Sequence, residues 1–304
     1  MADQDRGAAS GGTSSGAGKR SPTGVTEREL RAKAREQGHH DVSRSPEAAR
    51  RLALLWDPPE PAIRGRKPRF TLAEVVDAGL RVVADGGLSA LTMRAVAKEL
   101  GVGTMSLYTY VPGRAELVDL MIDRVYGELR LPDARAPWRA ALTQHAREHH
   151  ELYLRHPWVL QTNTWRAPFS PNVFDAQEAG LRTLIETGLP EAVVTRTVSL
   201  VDAVVQGLAR TAVAERQENV ETGQDVDEFY EQMSAFWVDY FDPDRYPTIT
   251  RIYLAGGFDD LDNPFEITIQ RLLDTIELSI EQEARRAAPS AGASTTTPVG
   301  EDDG

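Results

Sequence analysis

Apolar residues recur at helical spacing along most of this chain, and the first such stretch is clearly delimited. One face of it carries Leu72, Val75, Val76, Leu80 and Val83. Thr71 stands before them as an N-cap residue, and the pair Gly86 and Gly87 follows. The spacing therefore predicts an amphipathic helix that begins after Thr71 and ends at the two glycines.

Two shorter helices follow, joined by a tight turn. The second helix has Thr92 as its N-cap, and its apolar face carries Met93, Val96, Ala97 and Leu100. Gly101 stands where the chain must turn sharply, because glycine adopts a positive φ without a Cβ penalty, and Val102 fills the corner beneath it. Residues 103–111 are predicted to form a single short helix closed by Pro112. These two helices and their turn predict a helix-turn-helix.

The third helix has an unusual outward face. Leu107 and Val111 are four residues apart and are predicted to face the core. The side chains left to point outward are those of Thr104, Ser106, Tyr108, Thr109 and Tyr110. Small hydroxyls and phenols suit a groove lined with phosphates and thymine methyl groups. The alternative is that Tyr108 or Tyr110 simply packs in the core.

A cluster of cations precedes the first helix. The run RGRKPRF contains Arg64, Arg66, Lys67 and Arg69, and its glycine and proline disfavour a helix. The pattern indicates a flexible basic arm. Such an arm can follow the phosphate backbone of DNA or enter the minor groove.

The stretch LTMRAVAKELGVGTMSLYTYVPGRAELVDLM resembles the DNA-binding domain of the TetR family of bacterial transcriptional repressors. The similarity includes the Gly-Val turn, the Leu-Tyr pair in the third helix and the basic residue after it. The preceding IRGRKPRFT is similar to actinobacterial members with an extended N-terminus. The resemblance implies a repressor that binds a palindromic double-stranded DNA operator as a homodimer and is released by a small-molecule effector.

The resemblance also implies roles for single residues. Thr92 and Arg94 fall where the family places backbone and base contacts, and an arginine is chemically suited to guanine O6 and N7. Tyr108 is the expected phosphate contact, and Arg114 matches the family's basic residue at the start of the fourth helix. The full set expected to bind DNA is Arg64, Arg66, Lys67, Arg69, Thr92, Arg94, Thr104, Met105, Ser106, Tyr108, Thr109, Tyr110 and Arg114. The alternative for Arg94 is an ion pair with Glu99.

Composition divides the chain into several parts. The Gly-, Ser- and Ala-rich start lacks the apolar stretch of a signal peptide, so residues 1–50 are predicted to be a disordered extension, with a frayed helix possible over 27–51. The other predicted parts are a docking segment and basic arm over 51–69, the helix-turn-helix domain over 70–114, a helical ligand-binding and dimerisation domain over 115–286, and a disordered tail over 287–304. The predicted fold class is all-α.

Charge is unevenly distributed along the chain. Residues 61–114 carry eight Lys or Arg against four Asp or Glu, whereas residues 115–304 carry sixteen against thirty-three. The net charge of −12 is therefore compatible with DNA binding, because the basic excess lies beside the third helix. An acidic remainder also discourages indiscriminate coating of DNA.

Two long helices are predicted to form a dimer interface. The helix over 191–217 has two apolar faces that must both be covered, and the helix over 264–283 has a wide apolar stripe. Two such helices from each subunit build a four-helix bundle across a two-fold axis, as in the TetR family. The expected interface residues are Val194, Val198, Val201, Val205, Leu208, Phe265, Ile269, Leu272 and Ile276. The alternative is that both helices are central in a monomer core.

The resemblance further implies an effector pocket in the second domain. The candidate lining residues are the polar and aromatic ones in or beside apolar helices: His145, His149, Trp158, Trp165, Phe169, Phe174, Gln177 and Gln206. His145 and His149 share a helix face, but without an HExxH pattern or an evident third ligand we expect no metal. The tetracycline-responsive family member uses histidines that are missing from 115–130 and from VLQTNTW here. We therefore expect an amphipathic effector other than tetracycline.

Other functional classes have little support in the sequence. The chain has no cysteine, which excludes disulfides, thiolate metal sites and cysteine nucleophiles. It lacks GxSxG, P-loop and GxGxxG motifs, so we expect no enzyme and no cofactor. Gly256 and Gly257, with the acidic pair at 259–260, are predicted to form a loop rather than a phosphate or cation site. No uncharged run reaches membrane-spanning length, so a soluble cytoplasmic protein is expected. The alternatives to an effector-released repressor are a ligand-independent regulator and a helical protein-interaction module.

Overall fold

The computed structural model describes residues 24–36, 46–58, 70–162, 166–224, 226–258 and 263–288. Every regular element in these ranges is a helix, which confirms the all-α prediction. The helices are α1 (Glu27–Glu36), α2 (Pro46–Trp56), α3 (Leu72–Ala90), α4 (Met93–Glu99), α5 (Thr104–Leu107), α6 (Arg114–Tyr126), α7 (Trp138–Arg155), the 3₁₀ helix η1 (Pro157–Gln161), α8 (Pro171–Ile185), α9 (Glu191–Thr222), α10 (Val226–Gln232), α11 (Ser234–Asp239), α12 (Pro247–Leu254) and α13 (Pro264–Ala287). The chain divides into two compact units, residues 1–53 and residues 54–304.

The first unit contains α1 and most of α2. The backbone N–H of Thr26 donates to the carboxylate of Glu29 at 2.7 Å, and the N–H of Glu29 donates to Thr26 Oγ1 at 3.3 Å. This reciprocal capping box starts α1. Helix α1 and the first turns of α2 fall within 27–51, where the sequence allowed a frayed helix inside the predicted N-terminal extension. The rest of that stretch lies outside the described residues.

The end of α2 belongs to the second unit. Leu54 and Leu55 are buried there, and the indole N–H of Trp56 donates to the carbonyl oxygen of Phe169 at 2.7 Å. The Trp56 ring also meets the ring of Phe174 edge-on, with centroids 6.2 Å apart. These contacts are those expected of a docking segment.

Helices α3 to α6 form the predicted helix-turn-helix region. Thr71 caps α3 by accepting the N–H of Glu74, and Gly87 interrupts the helix with a φ of 68°, so the predicted start and end are both confirmed. The core of this region includes Val75, Val96, Leu107, Val111 and Leu117, all fully buried. Burial of these side chains fixes α4 and α5 on α3 and α6.

Helix α7 is the centre of the second domain, in contact with α8, α9, α13 and η1. Leu142, Leu152 and Leu184 are fully buried around it. Helix α6 packs on both α3 and α8, so it belongs to the core of both domains. The boundary predicted between residues 114 and 115 therefore does not separate two independently packed parts; residues 54–304 form one compact unit.

The sequence predicted no helix between α9 and α13. It contains α10, α11 and α12, and no residue described in 228–258 is buried. Large apolar side chains are exposed throughout it: Phe229, Tyr230, Met233, Phe236, Trp237, Val238, Tyr240, Tyr246, Ile249, Ile252, Tyr253, Leu254 and Phe258. We call residues 228–258 the exposed segment.

Helix α9 is long and apolar enough, by length and composition alone, to cross a membrane. The expectation from the sequence concerned uncharged runs, and the apolar part of α9 carries Arg196, Asp202 and Arg210, so this helix does not contradict it. Its buried residues, among them Val198 and Val205, pack in the protein core. A core helix passes the same test of length and composition, so the finding is weak evidence for a membrane span.

Candidate functional site

The turn between α4 and α5 has the geometry expected from the sequence. Thr92 Oγ1 accepts the N–H of Ala95 at 3.0 Å and caps α4. Gly101 has a φ of 65°, and its N–H donates to the carbonyl of Lys98 while that of Val102 donates to the carbonyl of Ala97 at 2.9 Å. This hydrogen-bond pair is a Schellman motif, which closes α4 and redirects the chain into α5.

The third helix is shorter than predicted. The sequence predicted one helix over 103–111, but α5 ends at Leu107 and the next three residues form a turn. Pro112 disfavours the α conformation at Val111, and Thr109 Oγ1 donates to the carbonyl of Ser106 at 2.7 Å. Both effects oppose a longer helix.

The outward face of α5 and its turn carries the expected side chains, with one exception. Met105 is 79% exposed and Tyr108 46% exposed, and Ser106 and Thr109 are also exposed. Tyr110 was predicted to point outward, but it is half-buried against the core and its hydroxyl accepts the N–H of Phe70 at 3.4 Å. The packing alternative therefore holds for Tyr110.

Arg94 is exposed in the first turn of α4. It makes no hydrogen bond or ion pair with any residue that the structure describes. Its alternative partner, Glu99, instead pairs with Arg81 of α3 at 2.7 Å. The Arg94 guanidinium is thus free to meet a base edge. Thr104, at the start of α5, is half-buried.

Arg114 has a structural role that the sequence did not indicate. Its Nε donates to the carbonyl of Leu91 at 2.8 Å, and its Nη2 donates to the carbonyl of Leu88 at 2.9 Å. These bonds hold the link between α3 and α4. A phosphate contact from this exposed side chain stays a prediction. The four cations of the basic arm, Arg64, Arg66, Lys67 and Arg69, lie outside the described residues.

A buried polar cluster lies in the second domain between α7 and α9. His145 Nε2 lies 2.9 Å from Asp202 Oδ1, and His149 Nδ1 donates to the carbonyl of His145 at 2.8 Å. Burial, and to a smaller extent the neighbouring His145, lower the pKa of His149 from 6.5 to about 4. Gly180 leaves room for this arrangement, because a Cβ there would come within 2.7 Å of His145 Cε1.

Two phenols extend the cluster. The hydroxyls of Tyr126 and Tyr153 lie 3.3 Å apart, and burial raises the pKa of both. His145 Nδ1 is buried without a hydrogen-bond partner. No group of three or more His, Asp or Glu among the described residues is placed to hold a metal ion. The cluster therefore offers hydrogen-bonding atoms inside an apolar domain.

Both parts of the chain match known protein families. Residues 75–121 match the family described as bacterial regulatory proteins, tetR family, and residues 131–280 match the tetracyclin repressor-like C-terminal domain. The chain is 37% identical over 277 residues to the HTH-type transcriptional repressor DrrR1 of Streptomyces coeruleorubidus, covering 90% of this chain and 99% of that one. The chain belongs to the TetR family.

Solved TetR-family structures share the fold. Apo ActR from Streptomyces coelicolor superposes with a TM-score of 0.59 at 24% identity, covering 74% of this chain and 100% of ActR. ActR in complex with actinorhodin gives a TM-score of 0.55 at the same identity, covering 74% and 99%. As a TetR-family member, this chain is a DNA-binding transcriptional repressor, and its relatives are named regulators rather than enzymes.

The structure places the predicted pocket residues in several different environments. Phe169 and Phe174 are exposed at the surface, with ring centroids 5.5 Å apart. There Phe174 contacts Trp56 at the end of α2. Gln177 is exposed on α8, Gln206 is half-buried on α9, and Trp165 lies outside the described residues. Trp158 is buried but lines a cleft beside α3. Only His145 and His149 lie together in the interior.

The predicted dimer residues lie mostly inside a single chain. Seven of them are buried in its core: Val194, Val198, Val201, Val205, Phe265, Ile269 and Ile276. The prediction is wrong for these residues because this face of α9 packs against α7 and α8. Leu208 and Leu272 are half-buried. The uncovered face of α9 carries Leu200, which is 52% exposed, and α13 exposes Leu278 at 56%.

Sequence reasoning missed Asp202, Tyr126 and Tyr153. Asp202 had a detectable signal, since it is a lone carboxylate within an apolar run on α9. Tyr126 and Tyr153 had none, because their proximity depends on how α6 and α7 pack.

Proposed function

We propose that this TetR-family repressor binds a palindromic DNA operator as a homodimer and is released by a small-molecule effector. The exposed face of α5 supports this proposal most directly. Met105 and Ser106 of α5, with Tyr108 and Thr109 of the turn that follows, face outward, while Leu107 holds the other side of this segment in the core. A rigid helix with hydroxyl, phenol and methyl groups on its outer side suits the major groove.

Cationic side chains are proposed to supply the affinity. Arg94 has no competing partner and can read guanine, while Arg64, Arg66, Lys67, Arg69 and Arg114 are the proposed phosphate contacts. Thr92 and Thr104 join them as proposed backbone contacts. Phosphate contacts of this kind make binding sensitive to salt.

An electrophoretic mobility shift with the DNA upstream of the protein's own gene, at two salt concentrations, tests this function. Tyr108→Phe removes an exposed hydroxyl, so the operator Kd should rise by roughly three- to tenfold, the worth of one net hydrogen bond. Tyr110→Phe is the matched control, because that hydroxyl bonds Phe70 and should leave the Kd nearly unchanged. If no salt-sensitive specific band forms with the wild type, the proposed function is wrong.

The homodimer is supported by uncovered apolar surface on one chain. Leu200 of α9, Leu278 of α13 and the exposed segment all carry apolar side chains that are exposed on a single chain. Large exposed apolar surfaces mark interfaces with another chain. A second copy also places two α5 helices on one duplex, as a palindrome requires.

The effector is supported by the buried cluster and by related structures. His145, with an unpartnered Nδ1, and His149 provide polar groups at the centre of the second domain. ActR has been solved with actinorhodin, and a TetR variant from Acinetobacter baumannii has been solved with minocycline. These two compounds are suitable first probes for binding and for release of DNA.

A further inference from the structure

A cleft of about 530 Å³ lies between the DNA-binding region and the second domain. One wall is α3, which contributes Leu80, Val83 and Ala84. The facing wall is η1, which contributes Pro157 and the buried Trp158. The volume falls within the range of small-molecule sites, and both walls contribute apolar side chains on which an aromatic ring can pack.

The rim of the cleft is rich in hydrogen-bond donors that are not in use. Arg155 lies 3.6 Å from Glu151 and 3.8 Å from Glu128, which are ion-pair distances too long for hydrogen bonds. Gln161 and Gln217 also face the cleft, and their side-chain amides bond no residue that the structure describes. An acceptor on a bound molecule would satisfy these donors without breaking an existing hydrogen bond.

The charged side chains of the cleft indicate the charge of the ligand it would bind. Arg81 and Arg155 stand on opposite walls of the cleft, and no carboxylate is among its lining residues. Arg81 is paired with Glu99, and Arg155 lies near Glu151 and Glu128, but these carboxylates are not among the lining residues. A ligand in the cleft therefore meets guanidinium groups and no carboxylate, which favours an anion. We propose that this cleft is a second ligand site, separate from the buried histidine cluster, and that it binds a small planar aromatic anion such as an aromatic carboxylate or phenolate.

The position of Arg81 connects the site to DNA binding. Arg81 Nε donates to Glu99 at the end of α4, the helix just before the reading helix. An anion that draws on the Arg81 guanidinium competes with Glu99, and a ring between α3 and η1 fixes the spacing of the two domains. Occupancy therefore alters operator affinity, a consequence that rests on the proposed function.

The absence of cysteine permits a direct test by disulfide tethering. Ala84→Cys places a single thiol in the cleft, and Ala134→Cys places one on an exposed turn between Asp133 and Arg135. Each variant is equilibrated under reductant with two disulfide fragments on the same linker, a 2-naphthoate and a 2-naphthylmethylammonium. Intact-protein mass spectrometry then gives the fraction captured.

At Ala84→Cys we expect the naphthoate to be captured roughly two- to fivefold more than the ammonium fragment, the range of a partly screened ion pair. Ala134→Cys should capture both equally. Adding Arg155→Gln to Ala84→Cys should reduce the preference, and adding Arg81→Gln as well should abolish it, whereas adding Arg135→Gln should leave it. Equal capture at Ala84→Cys, or a preference that survives the loss of both arginines, overturns the proposal.

Two further measurements keep the result interpretable. Circular dichroism melts establish that each variant folds, and Gln217→Cys on the other side of the cleft replaces Ala84→Cys if that variant does not. Operator affinity of the naphthoate-labelled cleft variant is compared with that of the Ala134→Cys protein carrying the same label. Loss of DNA binding in unlabelled wild type contradicts the proposed function alone, because the capture preference needs no DNA.

Discussion

Arg114 combines two tasks that the sequence assigns to different kinds of residue. Its guanidinium bonds the carbonyls of Leu88 and Leu91, and it also lies exposed beside the reading helix. A lysine at this position would have no planar fork with which to hold both carbonyls. The arginine therefore stiffens the link between α3 and α4 while keeping a positive charge at the DNA face.

Substitutions at Arg114 should separate these tasks. Arg114→Ala leaves the carbonyl of the buried Leu91 without this partner, so the free energy of unfolding should fall by about 1–3 kcal/mol. Operator binding should weaken too, with a salt slope reduced by about one. Arg114→Lys should lose part of the stability but keep the salt slope. Urea unfolding and titrations at several salt concentrations measure both, and an unchanged slope in Arg114→Ala would refute the phosphate contact.

His149 should make stability depend on pH. Its folded-state pKa of about 4 lies below the unfolded value of 6.5, so the unfolded chain binds more protons between these values. The contribution is complete above pH 6.5 and is lost as pH falls to 4, amounting to roughly 3 kcal/mol. His149→Gln removes this titration and should flatten the curve in that window. Urea melts across pH 4–7 test this, and parallel curves for the two proteins would contradict it.

Local features were predictable at this scale, and distant pairings were not. The Thr92 cap and the Gly101 turn depend on neighbours within a few residues, so the sequence identifies them. The bond between His145 and Asp202 joins residues that are 57 positions apart. Glu99 pairs with Arg81 rather than with Arg94, and that choice depends on how the helices pack. Such choices require the tertiary structure.

Helix α9 illustrates the same limit for a whole element. Its apolar spacing predicted a long helix with two covered faces, and the helix is present over Glu191–Thr222. Nothing in the spacing distinguishes the face that its own chain covers from the face left for a partner. The valines at 198 and 205 were assigned outward and lie inside, while Leu200 lies outside. Valine and leucine are equally apolar, so periodicity alone carries no such distinction.

Two substitutions on α9 should give opposite outcomes. Leu200→Glu charges an exposed position and should yield folded monomers in analytical ultracentrifugation. Val205→Glu buries an unpaired carboxylate in the core and should lower the free energy of unfolding by several kcal/mol. A Leu200→Glu protein that remains dimeric would show that the interface lies elsewhere.

The molecule as a whole links its two domains through α6 and through the contact between α3 and η1. An effector that prefers one spacing of these parts must change operator affinity by the same factor by which DNA changes effector affinity. Of this arrangement, the sequence predicted two domains and their order. The shared helix and the cleft were not predictable, because they depend on how α3 meets η1.

Effector binding should therefore have two measurable effects. Actinorhodin or minocycline, if bound, should raise the melting temperature, by an amount set by the ratio of its concentration to its Kd, and should release the operator. Differential scanning fluorimetry and the mobility shift are run on the same samples. A compound that raises the melting temperature and leaves the operator bound would indicate corepression or an unrelated site.

The exposed segment has a consequence for how the protein is made and stored. A lone chain presents more than a dozen aromatic and aliphatic side chains between Phe229 and Phe258 to water. If a second copy covers them, the last step of folding is bimolecular, and the melting temperature rises with protein concentration. At low protein concentration the amount of active repressor then falls, because dissociated chains also unfold. Newly synthesised chains are most prone to aggregate before they meet a partner.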